Sequence, residues 1–154
     1  MNVRLGTPTD IPQLESIAMA AKAFWGYSPE QLEAWRAELS VPASSMLSRP
    51  VYVAELPTGL VGFVQLAKDT TPWEIWALWV HPSHIGSGIG SLLLGRAQRE
   101  ALAGGQTELA IDADPNAVSF YIAKGARQVG EVPAPIAGEP DRVRPQLRLG
   151  ASAA

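Results

Sequence analysis

Apolar and polar positions change their period several times along the chain, and each change marks an element. Asn2–Gly6 has the make-up of a short strand. Ile11, Leu14, Ile17, Ala21 and Phe24 then follow at helical spacing. With Thr9 or Asp10 as N-cap, Pro12 in the first turn and Gly26 as the stop, they predict an amphipathic helix over 10–24. Ser28-Pro29-Glu30-Gln31 is a capping-box start, and Leu32, Trp35 and Leu39 mark one face of a second helix. Val51–Leu56 and Leu60–Ala67 are apolar, β-branched runs joined by Pro57-Thr58-Gly59, a hairpin pattern that Trp73–Val80 extends into a meander. A glycine-rich loop leads into a helix from about Gly88 to Ala103, ended by Gly104 and Gly105. Thr107–Asp112 reads as a strand. Asp114 and Pro115 open a helix over Asn116–Lys124, with Gly125 just past its end. Ala126–Val132 and the alternating Val143–Leu149 are the last strands, separated by a Pro-rich connection.

The order is β-α-α-β-β-β-α-β-α-β-β, which predicts an α/β fold with a mixed sheet flanked by helices. Residues 73–112 are a candidate right-handed crossover, its loop at the C-terminal end of a strand, where open α/β sheets bind ligands. Strict alternation over Trp73–Val80 would put Glu74, Trp76, Leu78 and Val80 on one side and Ile75, Ala77 and Trp79 on the other.

A length of 154 residues leaves room for one domain, expected over 1–150, with 151–154 as a frayed tail. Apolar residues at 47% and charged residues at 18% exclude disorder as the default. A net charge of −3 shows no basic footprint for nucleic acid. Cysteine is absent, which excludes disulfides, thiolate metal sites and a cysteine nucleophile, and no metal is expected. Met1–Asp10 lacks the features of a signal peptide, so a cytoplasmic chain is expected. The uncharged run Ile75–Gly95 is long enough to span a bilayer, but His81, Pro82, His84, Gly86, Gly88 and Gly90 break it, and no membrane association is expected.

The chemistry centres on the loop. Gly86, Gly88 and Gly90 alternate just before an apolar helix, so the backbone can approach a ligand closely. The helix start offers unpaired N–H groups and partial positive charge, suited to a phosphate or pyrophosphate. No Gly-Lys-Ser/Thr is present, and Ser91 stands where a dinucleotide fingerprint needs its third glycine. The plain structural alternative is a tight turn without a ligand.

The loop and the strand before it resemble the acyl-CoA-binding motif of the GNAT N-acyltransferase superfamily, Arg/Gln-x-x-Gly-x-Gly/Ala. Gly88 and Gly90 match its glycines, and Ile85 stands at the Arg/Gln position. A second block, Asn116-Ala117 with Phe120-Tyr121 and Gly125-Ala126, is similar to the family's Asn-x-x-Ala and Phe-Tyr-x-x-x-Gly-Phe segment, with Ala126 in place of the usual Phe. The two motifs and the element order cover nearly the whole chain. The resemblance implies an acetyl-CoA-dependent N-acetyltransferase acting by direct attack on a primary amine. Its partners would be acetyl-CoA, the amine and a second copy of the chain as a homodimer.

The resemblance further implies that Leu78, Trp79, Val80, Ile85, Gly86, Ser87, Gly88, Ile89, Gly90, Ser91, Asn116 and Tyr121 contact the coenzyme. Tyr121 would be the acid at the leaving sulfur, since a phenol is protonated at neutral pH. Glu74 would be the base, because a carboxylate in an aromatic cleft has a raised pKa. The bland readings are a buried tyrosine satisfied by a carbonyl and a solvated glutamate after a turn. His81 and His84 are weaker candidates for the base. Backbone N–H groups near Leu78–Val80, where a bulge opens the sheet in this family, would stabilise the oxyanion. Trp25, Tyr27 and Trp76, with Trp35 and Trp73, would line the acceptor pocket or simply pack the core. Arg142, Arg144 and Arg148 share one side of the last strand, where they read an acidic acceptor or form a solvated face. Two other readings stay open: a GNAT-fold acyl-CoA sensor or partner-binding module without turnover, and an unrelated phosphate binder. The second lacks a lysine or acid between Ile75 and Gly95.

Overall fold

The structure, a computed structural model, describes residues 1–152. Its elements are β1 (Asn2–Leu5), α1 (Ile11–Phe24), α2 (Pro29–Trp35), β2 (Val51–Leu56), β3 (Gly59–Ala67), β4 (Glu74–Val80), α3 (Ile89–Ala103), β5 (Glu108–Asp112), α4 (Val118–Ala123), β6 (Arg127–Pro133) and β7 (Val143–Gly150). Seven strands form one sheet in the order β1-β2-β3-β4-β5-β7-β6, antiparallel except for β4 and β5. The α3 crossover is what makes that pair parallel.

Alternation along the strands buries both faces of the sheet. Val51, Val53 and Phe63 face Leu14, Ile17 and Ala18 of α1. Tyr52, Ala54, Val64 and Leu66 face Leu93, Leu94 and Ala97 of α3. The first turn of α3 lies directly on β3 at Gly62, where a Cβ would stand 2.9 Å from the Trp79 carbonyl and 3.2 Å from Ile89. A glycine is required there to seat the helix start beside β4. Among the described residues no helix is long and apolar enough to cross a membrane.

Two irregularities open the sheet. First, β4 pairs with β5 only at Glu74↔Ala110 and Ile75↔Ile111, so the rest of β4 runs free of its neighbour on that side. Second, the β3–β4 register slips: Gln65 pairs with Ala77 but Leu66 pairs with Ile75, leaving Trp76 as a bulge. The expected strict alternation of β4 therefore fails. Ile75 packs under α3 with Leu78 and Val80, while Ala77 and Trp79 join the α1 cluster. Glu74 thus shares the side of Ala77 and Trp79, because the extra residue inverts the pleat between Ile75 and Ala77.

Smaller differences concern ends and caps. Thr7 and Asp10 form the capping box ahead of α1, where the Asp10 carboxylate accepts from the Thr7 N–H at 2.9 Å and from Arg4. At the other terminus Ala151 is buried and its N–H donates to the Thr107 carbonyl at 2.9 Å, so the chain is held one residue further than expected. Ala153 and Ala154 lie outside the described residues.

Candidate active site

The gap between β4 and β5 holds two cavities that meet. One, of about 510 Å³, is walled by the α1–α2 junction, β4, the end of β5 and Arg142. The other, of about 480 Å³, runs between the glycine loop, the end of β4 and α4. Trp25, Leu78, Trp79, Ala117 and Tyr121 line both. Trp25 leans on Trp79 with ring centres 5.5 Å apart.

The second cavity is built for an anion. Gly86 and Gly88 have φ of +81° and +86°, left-handed conformations that other residues adopt only with strain. They turn the chain so that the N–H groups of Gly86, Gly88, Ile89, Gly90 and Ser91 donate to no acceptor among the described residues. These are the free donors at the start of a 15-residue helix, with its positive dipole end behind them. The cradle fits a diphosphate bound through backbone amides. Of the residues expected at the coenzyme, Ser87 alone does not line this cavity, and its hydroxyl donates instead to the His84 carbonyl. Ile85 lines it and is 55% exposed. His84 and Lys124 also line it. His81 lines neither cavity; its Nδ1 accepts from the Ser83 N–H, a turn-forming role.

Of the two candidate proton carriers, Tyr121 stands at the junction and Glu74 in the first cavity alone. Tyr121 is buried, which pushes its phenol well above the ordinary value, so it is protonated at neutral pH. Its hydroxyl makes no hydrogen bond among the described residues, and since no fully buried side-chain oxygen there lacks a partner, it opens onto the cavity rather than being tied to a carbonyl. Glu74 lines the first cavity, half-buried. Burial, aided by the charge of Asp112, raises its carboxyl above the ordinary range.

The free edge of β4 supplies donors as well. The His81 N–H donates to the Val61 carbonyl at 2.8 Å, which sets the phase of the antiparallel ladder. By alternation the Trp79 and Ala77 amides face β3. The N–H groups of Leu78 and Val80 therefore point into the space that β5 has left.

One cluster escaped the sequence reading. Asp114 accepts from Lys22 at 2.9 Å, from the Tyr27 hydroxyl at 2.9 Å and from Arg142 at 3.3 Å. The side chains of Lys22, Asp114 and Arg142 are only 12%, 8% and 6% exposed. Asn116, expected at the coenzyme, lines the second cavity but spends its amide on Asp114 and the Tyr27 hydroxyl. Burial alone would raise the Asp114 carboxyl, but Lys22 and the Asn116 amide outweigh it and hold the group below the usual range. Lys22 Nζ sits 4.1 Å from the Trp35 ring centre. A signal was present: Lys22 follows Ala18 by four residues and so falls on the apolar stripe of α1.

The arginine row does not hold as a unit. Arg144 and Arg148 pair with Asp112 and Glu108 on the sheet surface, whereas Arg142 precedes β7 and turns inward, donating to the Ala134 carbonyl. Trp76 lines the first cavity but is half-exposed under the Arg49 guanidinium, 3.7 Å from its ring centre. Trp73 packs on the core against Gly104, and Tyr27 lies behind the cavity wall, edge-on to Trp35.

Residues 48–125, half of the chain, match the sequence profile of the acetyltransferase (GNAT) domain. The chain belongs to the GNAT acetyltransferase family. Its fold agrees with that of solved GNAT proteins. A GCN5-related N-acetyltransferase from Rhodopseudomonas palustris is 26% identical over 97% of this chain and 94% of that one, with a TM-score of 0.79. The PaiA N-acetyltransferase of Thermoplasma acidophilum, solved in complex with coenzyme A, gives 0.75 at 20% identity over 97% and 99% of the two chains. The ribosomal-protein-S18-alanine N-acetyltransferase of Escherichia coli gives 0.72 at 16% over 99% and 95%. At under 25% identity the last two show a shared fold. No curated protein matches the GNAT chain in sequence.

Proposed function

We propose that this GNAT chain is an N-acetyltransferase that moves an acetyl group from acetyl-CoA to a primary amine of a small molecule by direct attack. The observation that carries the reading is the meeting of the amide-lined and carboxylate-bearing cavities at Tyr121, beside the free edge of β4. The GNAT structures solved with coenzyme A support the choice of coenzyme.

Acetyl-CoA supplies the activated acyl group as a thioester. The free loop amides of Gly86, Gly88, Ile89, Gly90 and Ser91 hold its diphosphate. Glu74 takes a proton from the acceptor nitrogen, directly or through water, so that a lone pair becomes available. The Leu78 and Val80 N–H groups face the carbonyl oxygen as charge develops on it. Tyr121 Oη holds a proton for the departing sulfur. The chain has no cysteine, so an acyl-cysteine route is closed.

The test is CoA thiol release from acetyl-CoA with a panel of small amines, for the parent chain and for Tyr121→Phe and Glu74→Gln. Turnover with at least one amine, reduced in both variants, supports the proposal. Ile85, apolar at the rim of the coenzyme cavity, favours a second reading as an acyl-CoA sensor. Binding of acetyl-CoA with no release for any amine would establish that reading instead.

A further inference from the structure

The Lys22–Asp114–Arg142 cluster bears on what the acceptor is. Two cations share one carboxylate in a wall largely shielded from water, which leaves one positive charge without an anion among the described residues. The rings of Trp35 and Tyr27 favour the Lys22 ammonium through their faces but bring no countercharge. Arg144, the other cation of this cavity, is already paired with Asp112 at 2.8 Å. On β4 of the same cavity Glu74 stands without an ion-pair partner among the described residues. The cavity thus carries the buried Lys22–Arg142 cation pair and, on β4, the unpaired Glu74 carboxylate, with Trp25, Trp35 and Trp79 also in its lining.

We propose, on the reading of this cavity as the acceptor site, that the acceptor is an amine that also carries a carboxylate on an apolar or aromatic body. The amine faces Glu74, the carboxylate faces Lys22 and Arg142, and the body lies against the tryptophans. A simple monoamine satisfies Glu74 but leaves the excess positive charge of Lys22 and Arg142 unmatched. A carboxylate supplies the missing anion, and the Arg142 fork and the Lys22 ammonium bind it by charge-assisted hydrogen bonds.

The test is calorimetric titration of the CoA-loaded protein with matched pairs: tryptophan and tryptamine, phenylalanine and phenethylamine, leucine and isopentylamine. The amino acid of at least one pair is expected to bind about ten-fold or more tightly than its amine. Arg142→Gln and Lys22→Gln are expected to shrink that ratio towards one. Equal or weaker binding by every amino acid, no binding by any of them, or a preference that survives both substitutions would overturn the inference. The parent comparison decides it even where a variant fails to fold. CoA release from acetyl-CoA, measured in parallel with the same six compounds, judges the reaction separately.

Discussion

Lys22 and Asp114 lie 92 positions apart and meet at 2.9 Å, both almost fully buried. Asp114→Asn leaves Lys22 and Arg142 without their shared anion and is expected to cost about 3–5 kcal/mol, the usual penalty for orphaning a buried charge. Urea unfolding measures it. The pH dependence has a definite sign. The folded carboxyl is held below its ordinary range, so the unfolded chain binds the proton more readily. The contribution is complete above the ordinary carboxylate range and is lost as pH falls through that range towards the folded value. The parent is therefore expected to lose stability on acidification more steeply than Asp114→Asn.

Tyr121→Phe separates chemistry from packing. The hydroxyl makes no hydrogen bond among the described residues and opens onto the cavity, so its removal is expected to change stability by less than about 1 kcal/mol. If Tyr121 is the acid at the leaving sulfur, kcat falls roughly a hundred-fold. Thermal melting and steady-state kinetics on the same preparation check both halves, and unchanged kcat would remove Tyr121 from the mechanism.

Glu74 makes a prediction about pH. Its carboxyl is raised by burial and by Asp112, and a base acts only when deprotonated. The kcat/KM of the parent is expected to rise with pH through a value above the ordinary carboxylate range. Glu74→Gln is expected to lose about 10²-fold or more and to lack that limb. The ratio of the two chains at each pH cancels the acceptor's own titration.

Gly88 tests the proposed coenzyme cradle. No atom lies within 4 Å of a Cβ added there, so Gly88→Ala meets only the strain of φ +86°, about 1–2 kcal/mol. Relief of that strain would move the loop amides. The Kd for acetyl-CoA is therefore expected to rise by more than ten-fold, read by calorimetry, while the chain stays folded.

The glycine loop was legible because a left-handed φ is a demand on one residue, which only glycine meets without strain. Helices and strands were legible for a similar reason: Leu14, Ile17 and Ala21 must recur at the helical period to share a face. Tyr121 could be singled out through the family motif and Glu74 through its place on the strand before the loop, yet the sequence did not say which way Glu74 faces. That depends on the Trp76 bulge, which exists only as a mismatch between β4 and the register of β3.

The ion cluster shows the same division. Asp114 was read as a helix cap, and it does accept from the Asn116 N–H at 2.8 Å, a contact encoded two residues away. Its pairing with Lys22 and Arg142 joins α1, the turn after β5 and the residue before β7. Arg142 looked like a member of the Arg144 and Arg148 row, but its hydrogen bond to the Ala134 carbonyl at 3.0 Å draws it inward.

By itself, then, the order of residues determined the elements, the anion-ready loop and the family, because each rests on contacts within a turn or on a contiguous motif. Tertiary structure alone decided the open edge of β4, the side on which Glu74 stands and the ion pairing of the cavity wall at Lys22, Asp114 and Arg142. Those follow from strand register and from long-range ion pairs, and burial makes such pairs strong enough to set the character of the cavity.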